Sequence, residues 1–289
     1  VVKQLVIGPP LPEVYFTNMA NKLWIFLLLC TFQAHSQRVL LFANGYLGPD
    51  KDKIPRNNGV TMKPQGYWYS YDDTLVKRFH PTAALYVSGH HPMSTSMHRS
   101  KARFAASWLI SKCLWVRSKK GFGLNTRPNP EGFNIRFENG KICGQNLLKL
   151  LNDSLPNIGR NDTLDIVCHS MGYAYVLGIL TQVDTLFQLG KILILSPESP
   201  QQMGYDWNRF EEVWQYGSNL GEKKADLIVF QDGIAPQAPV KNLEQLLPGK
   251  GGRVFVPKSA PRGTVWSHHL SKFDWFFDIR PGDYGYFTR

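Results

Sequence analysis

The chain has 289 residues, 43% of them apolar and 13% aromatic, which suffices for one α/β domain with a sizeable core. Its formal charge is +11 and its pI near 9.5, a balance that favours anionic partners such as a membrane surface. The Lys and Arg are scattered, densest at Lys112–Lys120 and Lys250–Lys258, with no helix-turn-helix, RNA-binding or zinc-finger pattern, so no nucleic-acid partner is expected.

Residues 1–18 carry neither a strong helical pattern nor a targeting signal. From Met19 a short basic start leads into the apolar run Leu23–Phe32, and small residues follow at Ala34 and Ser36. That is the layout of a secretory signal peptide over 19–36, cut between Ser36 and Gln37. It leaves a working domain over 37–289 and a secreted, periplasmic or cell-envelope location. The apolar run is too short for a membrane span. The four cysteines, Cys30, Cys113, Cys143 and Cys168, have neither metal-pair nor redox-pair spacing.

Arg38–Ala43 is a near-continuous apolar strand, as expected in a parallel sheet buried on both faces. It runs into Asn44-Gly45-Tyr46, a glycine turn. Tyr67-Trp68-Tyr69-Ser70-Tyr71 is an aromatic cluster that suits packing better than a cleft lining. Thr82–Ser88 is a second strand. The His90-His91 pair beyond it lacks a third ligand at useful spacing, so no metal site is expected. Met97–Val116 has helical periodicity with a basic face. Lys119–Asn139 is rich in Gly, Asn and Pro, with a short alternating stretch at Phe133–Phe137. Ile142–Leu155 has an amphipathic helical pattern.

Asp165–Gly178 reads Asp-Ile-Val-Cys-His-Ser-Met-Gly-Tyr-Ala-Tyr-Val-Leu-Gly. An apolar, β-branched strand enters a tight turn at Ser170 and leaves as a small-residue helix through Gly172, Ala174 and Gly178. Strand, serine turn and helix form the layout of a nucleophile elbow. A serine on so sharp a turn needs small neighbours. Gly172 supplies one, and Cys168 stands where the other glycine is usual.

Further strands are expected at Lys191–Ser196, Ala225–Phe230 and Arg253–Val256. Residues 197–224 between the first two of these form a possible lid-like insertion. Within it, Asn208–Tyr216 has helical spacing, with Phe210, Val213 and Trp214 on one face. Apolar strands alternating with helices predict an α/β fold, mostly parallel, with helices on both faces.

On the His-Ser-Met-Gly turn and its flanking strand and helix, the sequence resembles the α/β-hydrolase superfamily, and its lipase- and esterase-like members in particular. The resemblance runs from about Arg38 to the C-terminus. It implies an α/β-hydrolase fold and a triad in the chain order Ser, acid, His. Ser170 takes the first place. Asp232, after the Ala225–Phe230 strand, takes the second, with Glu198 as its rival. The base is His268, set in His-x-Leu-x-x-Phe with Leu270 and Phe273, or else its neighbour His269. His169, beside the serine, points badly for a base. The resemblance also implies an oxyanion hole from the Tyr46 and Met171 amides.

A serine hydrolase cleaving small-molecule or lipid carboxylic esters through an acyl-enzyme follows, with no cofactor. The alternative is a non-catalytic binding protein on the same scaffold.

Overall fold

The computed structural model describes residues 36–45, 60–61, 67–68, 70–89, 130–155, 158–218, 227–230, 233–236, 239–255 and 286–287. The chain divides into two units, Val1–Ser36 and Gln37–Arg289, and the architecture below belongs to the second. The signal-peptide expectation over 19–36 lies outside the described residues, as does the Met97–Val116 helix. Among the described residues no helix is long and apolar enough to cross a membrane.

In chain order the elements are β1 (Arg38–Asn44), β2 (Val60–Thr61), α1 (Tyr71–Phe79), β3 (Ala83–Ser88), α2 (Pro130–Ser154), β4 (Thr163–His169), α3 (Gly172–Val183), β5 (Gln188–Leu195), β6 (Glu212–Ser218), β7 (Leu227–Phe230), β8 (Gly233–Pro236), β9 (Gly251–Phe255) and β10 (Tyr286–Phe287). Eight strands form one sheet in the order β10-β9-β6-β5-β4-β1-β3-β2. Six of them, β3-β1-β4-β5-β6-β9, are parallel throughout. The edge strands β2 and β10 run antiparallel to their neighbours. The expected α/β class with a mostly parallel sheet is what the chain adopts.

The apolar strands explain why. Along β1, Val39, Leu41 and Ala43 join the core shared with α2 and α3. Leu40 and Phe42 join the opposite core with Trp68, Tyr71 and Leu75 of the α1 side. Both faces are therefore buried, and each fully buried large apolar side chain contributes roughly 1.5–3 kcal/mol. The period of two along the strand assigns alternate residues to alternate cores.

Three elements differ from their sequence patterns. Helix α2 begins at Pro130, well before Ile142, and absorbs the alternating Phe133–Phe137 stretch. Proline suits the first turn of a helix, while Gly132, Gly140 and Gly144 disguise the helix in the sequence. Gly140 and Gly178 are where α2 and α3 cross: a Cβ on either would run into a carbonyl oxygen of the other helix.

The helix expected over Asn208–Tyr216 is a short 3-10 turn, Trp207–Arg209, followed by strand β6. Its apolar residues alternate in the sheet instead: Val213 belongs to one core and Tyr216 to the other. Residues 212–218 are thus part of the sheet and not of a lid.

The Ala225–Phe230 strand is also not in the main sheet. As β7 it pairs antiparallel with β8 in a separate two-stranded hairpin, Phe230 opposite Gly233.

Candidate active site

Strand order places the site. From β1 the chain crosses to β3 on one side and later returns through β4 on the other. The order reverses between β1 and β4, and in open α/β sheets ligands bind at such a switch point, outside the carboxyl ends of the strands. Asn44 and Gly45 lie at the end of β1, and Ser170 lies at the end of β4.

Ser170 sits on the turn between β4 and α3 with φ 58, in the left-handed region. That conformation costs a non-glycine residue about 1–3 kcal/mol and persists only where the surroundings impose it. Here they do so with backbone hydrogen bonds. The Ser170 N–H donates to the Leu195 carbonyl at 3.0 Å, and the Ser170 carbonyl accepts from the Tyr173 and Glu198 N–H groups, each at 3.2 Å. Ser196 and Ser199, just past β5, also have positive φ, at 44 and 53. The carboxyl edge of β4 and β5 therefore concentrates backbone strain.

Small residues make the turn possible. A Cβ on Gly45 would stand 2.7 Å from the Ser170 Cβ and 2.8 Å from the Tyr67 hydroxyl. A Cβ on Gly172 would overlap the Ala43 carbonyl oxygen. Cys168 points into the core with no exposure. Burial pushes its thiol far up, so it stays protonated and unreactive. A small apolar body is all that position requires.

Helix α3 starts immediately after Ser170, and its N-terminus carries the partial positive charge of the helix dipole. Among the described residues no partner takes the Met171 N–H. A free backbone donor next to a serine is what a developing oxyanion requires.

The Tyr67 hydroxyl joins the two sides of the switch point. It accepts from the Gly45 N–H at 2.6 Å and lies 2.6 Å from His169 Nδ1. Burial pushes the Tyr67 phenol well above its ordinary value, so its proton is present and needs an acceptor. With the phenol as donor, His169 Nδ1 accepts and the ring proton lies on Nε2, an arrangement in which the ring offers no lone pair to a serine proton.

Glu198 lies just past β5 and is 4% exposed. Its negative charge is one of the influences that raise the Tyr67 phenol, after burial. The rival acid is therefore packed at the elbow. Asp232 and the two candidate bases, His268 and His269, lie outside the described residues, as does Tyr46. The strand before Asp232, β7, is not a strand of the main sheet but pairs with β8 in the separate hairpin.

The structure thus brings Ser170, Met171, Gly45 and Glu198 together. Among the described residues no group of three or more His, Cys, Asp or Glu could hold a metal ion. Tyr67 and Asn44 are the residues that sequence reasoning passed over. Tyr67 stood in an aromatic cluster with nothing to separate a packing ring from a hydrogen-bonded one. No protein-family model matches the chain, and comparison with curated proteins gives no match.

Proposed function

We propose that the protein is a serine hydrolase of the α/β-hydrolase fold, cleaving carboxylic esters in the manner of lipases and esterases. The observation that carries this reading is Ser170: a serine in the left-handed region, between a parallel strand and a helix N-terminus, at the switch point of the sheet. Ser70, Ser196 and Ser199 share the positive φ, and what sets Ser170 apart is its place between the parallel strand β4 and helix α3 at the switch point. The Met171 N–H, which has no partner among the described residues, supports the same reading.

In this mechanism Ser170 Oγ attacks the acyl carbon, and its proton passes to His268 or His269. Asp232, or Glu198 packed beside the serine turn, orients that histidine and stabilises its positive form. The carbonyl oxygen, now negative, lies against the Met171 and Tyr46 amides. Collapse expels the alcohol, which takes its proton from the histidine, and leaves an acyl-Ser170 ester. Water then attacks that ester, giving its proton to the histidine. The carboxylic acid leaves as Ser170 recovers its own.

Hydrolysis of a short and a long p-nitrophenyl ester by the purified protein and by Ser170→Ala tests this. Turnover confined to the parent is the expected result. Equal background from two folded proteins removes ester hydrolysis and leaves a non-catalytic binding protein on the same scaffold.

A further inference from the structure

Gly45 is pinned from both sides by side chains that sequence reasoning gave no role. Its N–H donates to the Tyr67 hydroxyl at 2.6 Å. Its carbonyl accepts from Asn44 Nδ2 at 2.8 Å. The same Nδ2 reaches Ser88 Oγ at 3.3 Å, tying the end of β1 to the end of β3. These partners fix which way the Asn44 amide is turned, since the reverse orientation would set Oδ1 against a carbonyl oxygen.

The arrangement has a cost. Asn44 is 1% exposed, and its Oδ1 has no hydrogen-bond partner among the described residues. A buried polar atom left unsatisfied costs about 1–3 kcal/mol. An apolar residue would avoid that cost but could not hold the Gly45 carbonyl. Tyr67 is likewise a buried phenol whose hydroxyl is spent on two partners, the Gly45 N–H and His169 Nδ1.

The Gly45 backbone approaches Ser170 so tightly that no Cβ fits between them, so whatever fixes the Gly45 peptide also bears on the serine turn.

We propose that Tyr67 and Asn44 are positioning residues. Together they hold the Gly45 backbone, at the end of β1, against the Ser170 turn. Tyr67 also locks His169, the residue before the serine, in one tautomer. The two sides of the switch point thereby form one rigid unit. This inference rests on the serine-hydrolase reading. As positioning residues they act through Gly45, so their removal should slow the chemical step and leave binding nearly unchanged.

The test measures kcat and KM on p-nitrophenyl butyrate for the parent, Ser170→Ala and Tyr67→Phe, with 15N NMR of the His169 ring in the parent. If the parent shows no Ser170-dependent turnover, the hydrolase reading falls and the catalytic half of this inference falls with it. Given that turnover, Tyr67→Phe should lower kcat about 10- to 100-fold with KM within about two-fold, the scale of a small misplacement of reacting groups. A folded Tyr67→Phe with parental kcat would overturn the positioning role and leave the serine reading standing. If Tyr67→Phe does not fold, the NMR decides. An unprotonated, hydrogen-bonded Nδ1 with a proton on Nε2 is expected. A proton on Nδ1 would overturn the lock.

Discussion

Two places in this molecule are built on glycines that leave no room for a side chain, and they do different work. At the crossing of α2 and α3, Gly140 and Gly178 let two helix backbones touch, and their nearest neighbours are backbone atoms of the facing helix. At the switch point, Gly45 and Gly172 let loop and strand ends close around Ser170. There the neighbours are a strained serine, the Tyr67 phenol and the Asn44 amide. The helix crossing gains stability from close packing. The switch point carries backbone strain, a feature that stability alone does not select.

The two places should therefore respond differently to substitution. The largest effect is expected at the serine. Ser170→Ala should reduce ester turnover by at least about 1,000-fold, with melting temperature near the parent's because alanine inherits the same backbone conformation. Ser170→Gly should be equally inactive yet more stable by about 1 kcal/mol, since glycine accepts positive φ freely. A thermal melt that placed Ser170→Gly below Ser170→Ala would contradict the claim of strain.

Gly45→Ala comes next. Its methyl would press on the Ser170 Cβ and the Tyr67 hydroxyl. We expect kcat to fall about 100-fold through misplacement of the serine turn, with a smaller change in melting temperature. Gly178→Ala should show the reverse pattern. Its methyl meets the Phe137 carbonyl across the helix crossing. Overpacking there should cost about 1–3 kcal/mol while each folded molecule keeps its turnover. If Gly178→Ala lost activity without losing stability, the distinction between packing glycines and site glycines would fail.

The smallest effect lies further down β4. Asp165 is buried, with its carboxylate 3.0 Å from Arg38 Nε and accepting the Lys191 N–H at 2.7 Å. Burial outweighs both partners and raises its pKa above the ordinary value. A carboxyl pKa raised in the folded state gives stability that is present at low pH and lost as pH rises through the folded pKa. Asp165→Asn cannot ionise and escapes that loss. Its melting temperature should therefore gain on the parent's as pH rises from about 4 to about 8. A difference independent of pH would mean that Arg38 and Lys191 offset the burial.

Much of this was legible in the sequence, because parallel strands buried on both faces are nearly pure apolar runs. Strands β1, β3, β4 and β5 stand close to where such runs predict them. The strand–turn–helix at Ser170 was legible for a different reason: a sharp turn needs small residues, and Gly172 marks it. Strand β6 was hidden because Phe210, Val213 and Trp214 fit a helical face as well as a sheet, and short apolar segments suit both periods. The separate β7–β8 hairpin was hidden because Leu227–Phe230 is apolar enough for the main sheet, while its partner β8 carries Gly and Pro. The hydrogen bonds of Tyr67 and Asn44 to Gly45 run across 22 residues in one case and to the next residue in the other. Neither distance leaves a periodic trace in the chain.

The central claim is that Ser170 is a nucleophile, and covalent labelling tests it most directly. The folded protein and Ser170→Ala would each be treated with a fluorophosphonate, which reacts with activated serines, then weighed intact and mapped by peptide mass spectrometry. The account predicts one adduct per chain, on Ser170, and none on Ser170→Ala. A folded parent that takes no label, or takes it on another serine, would contradict it.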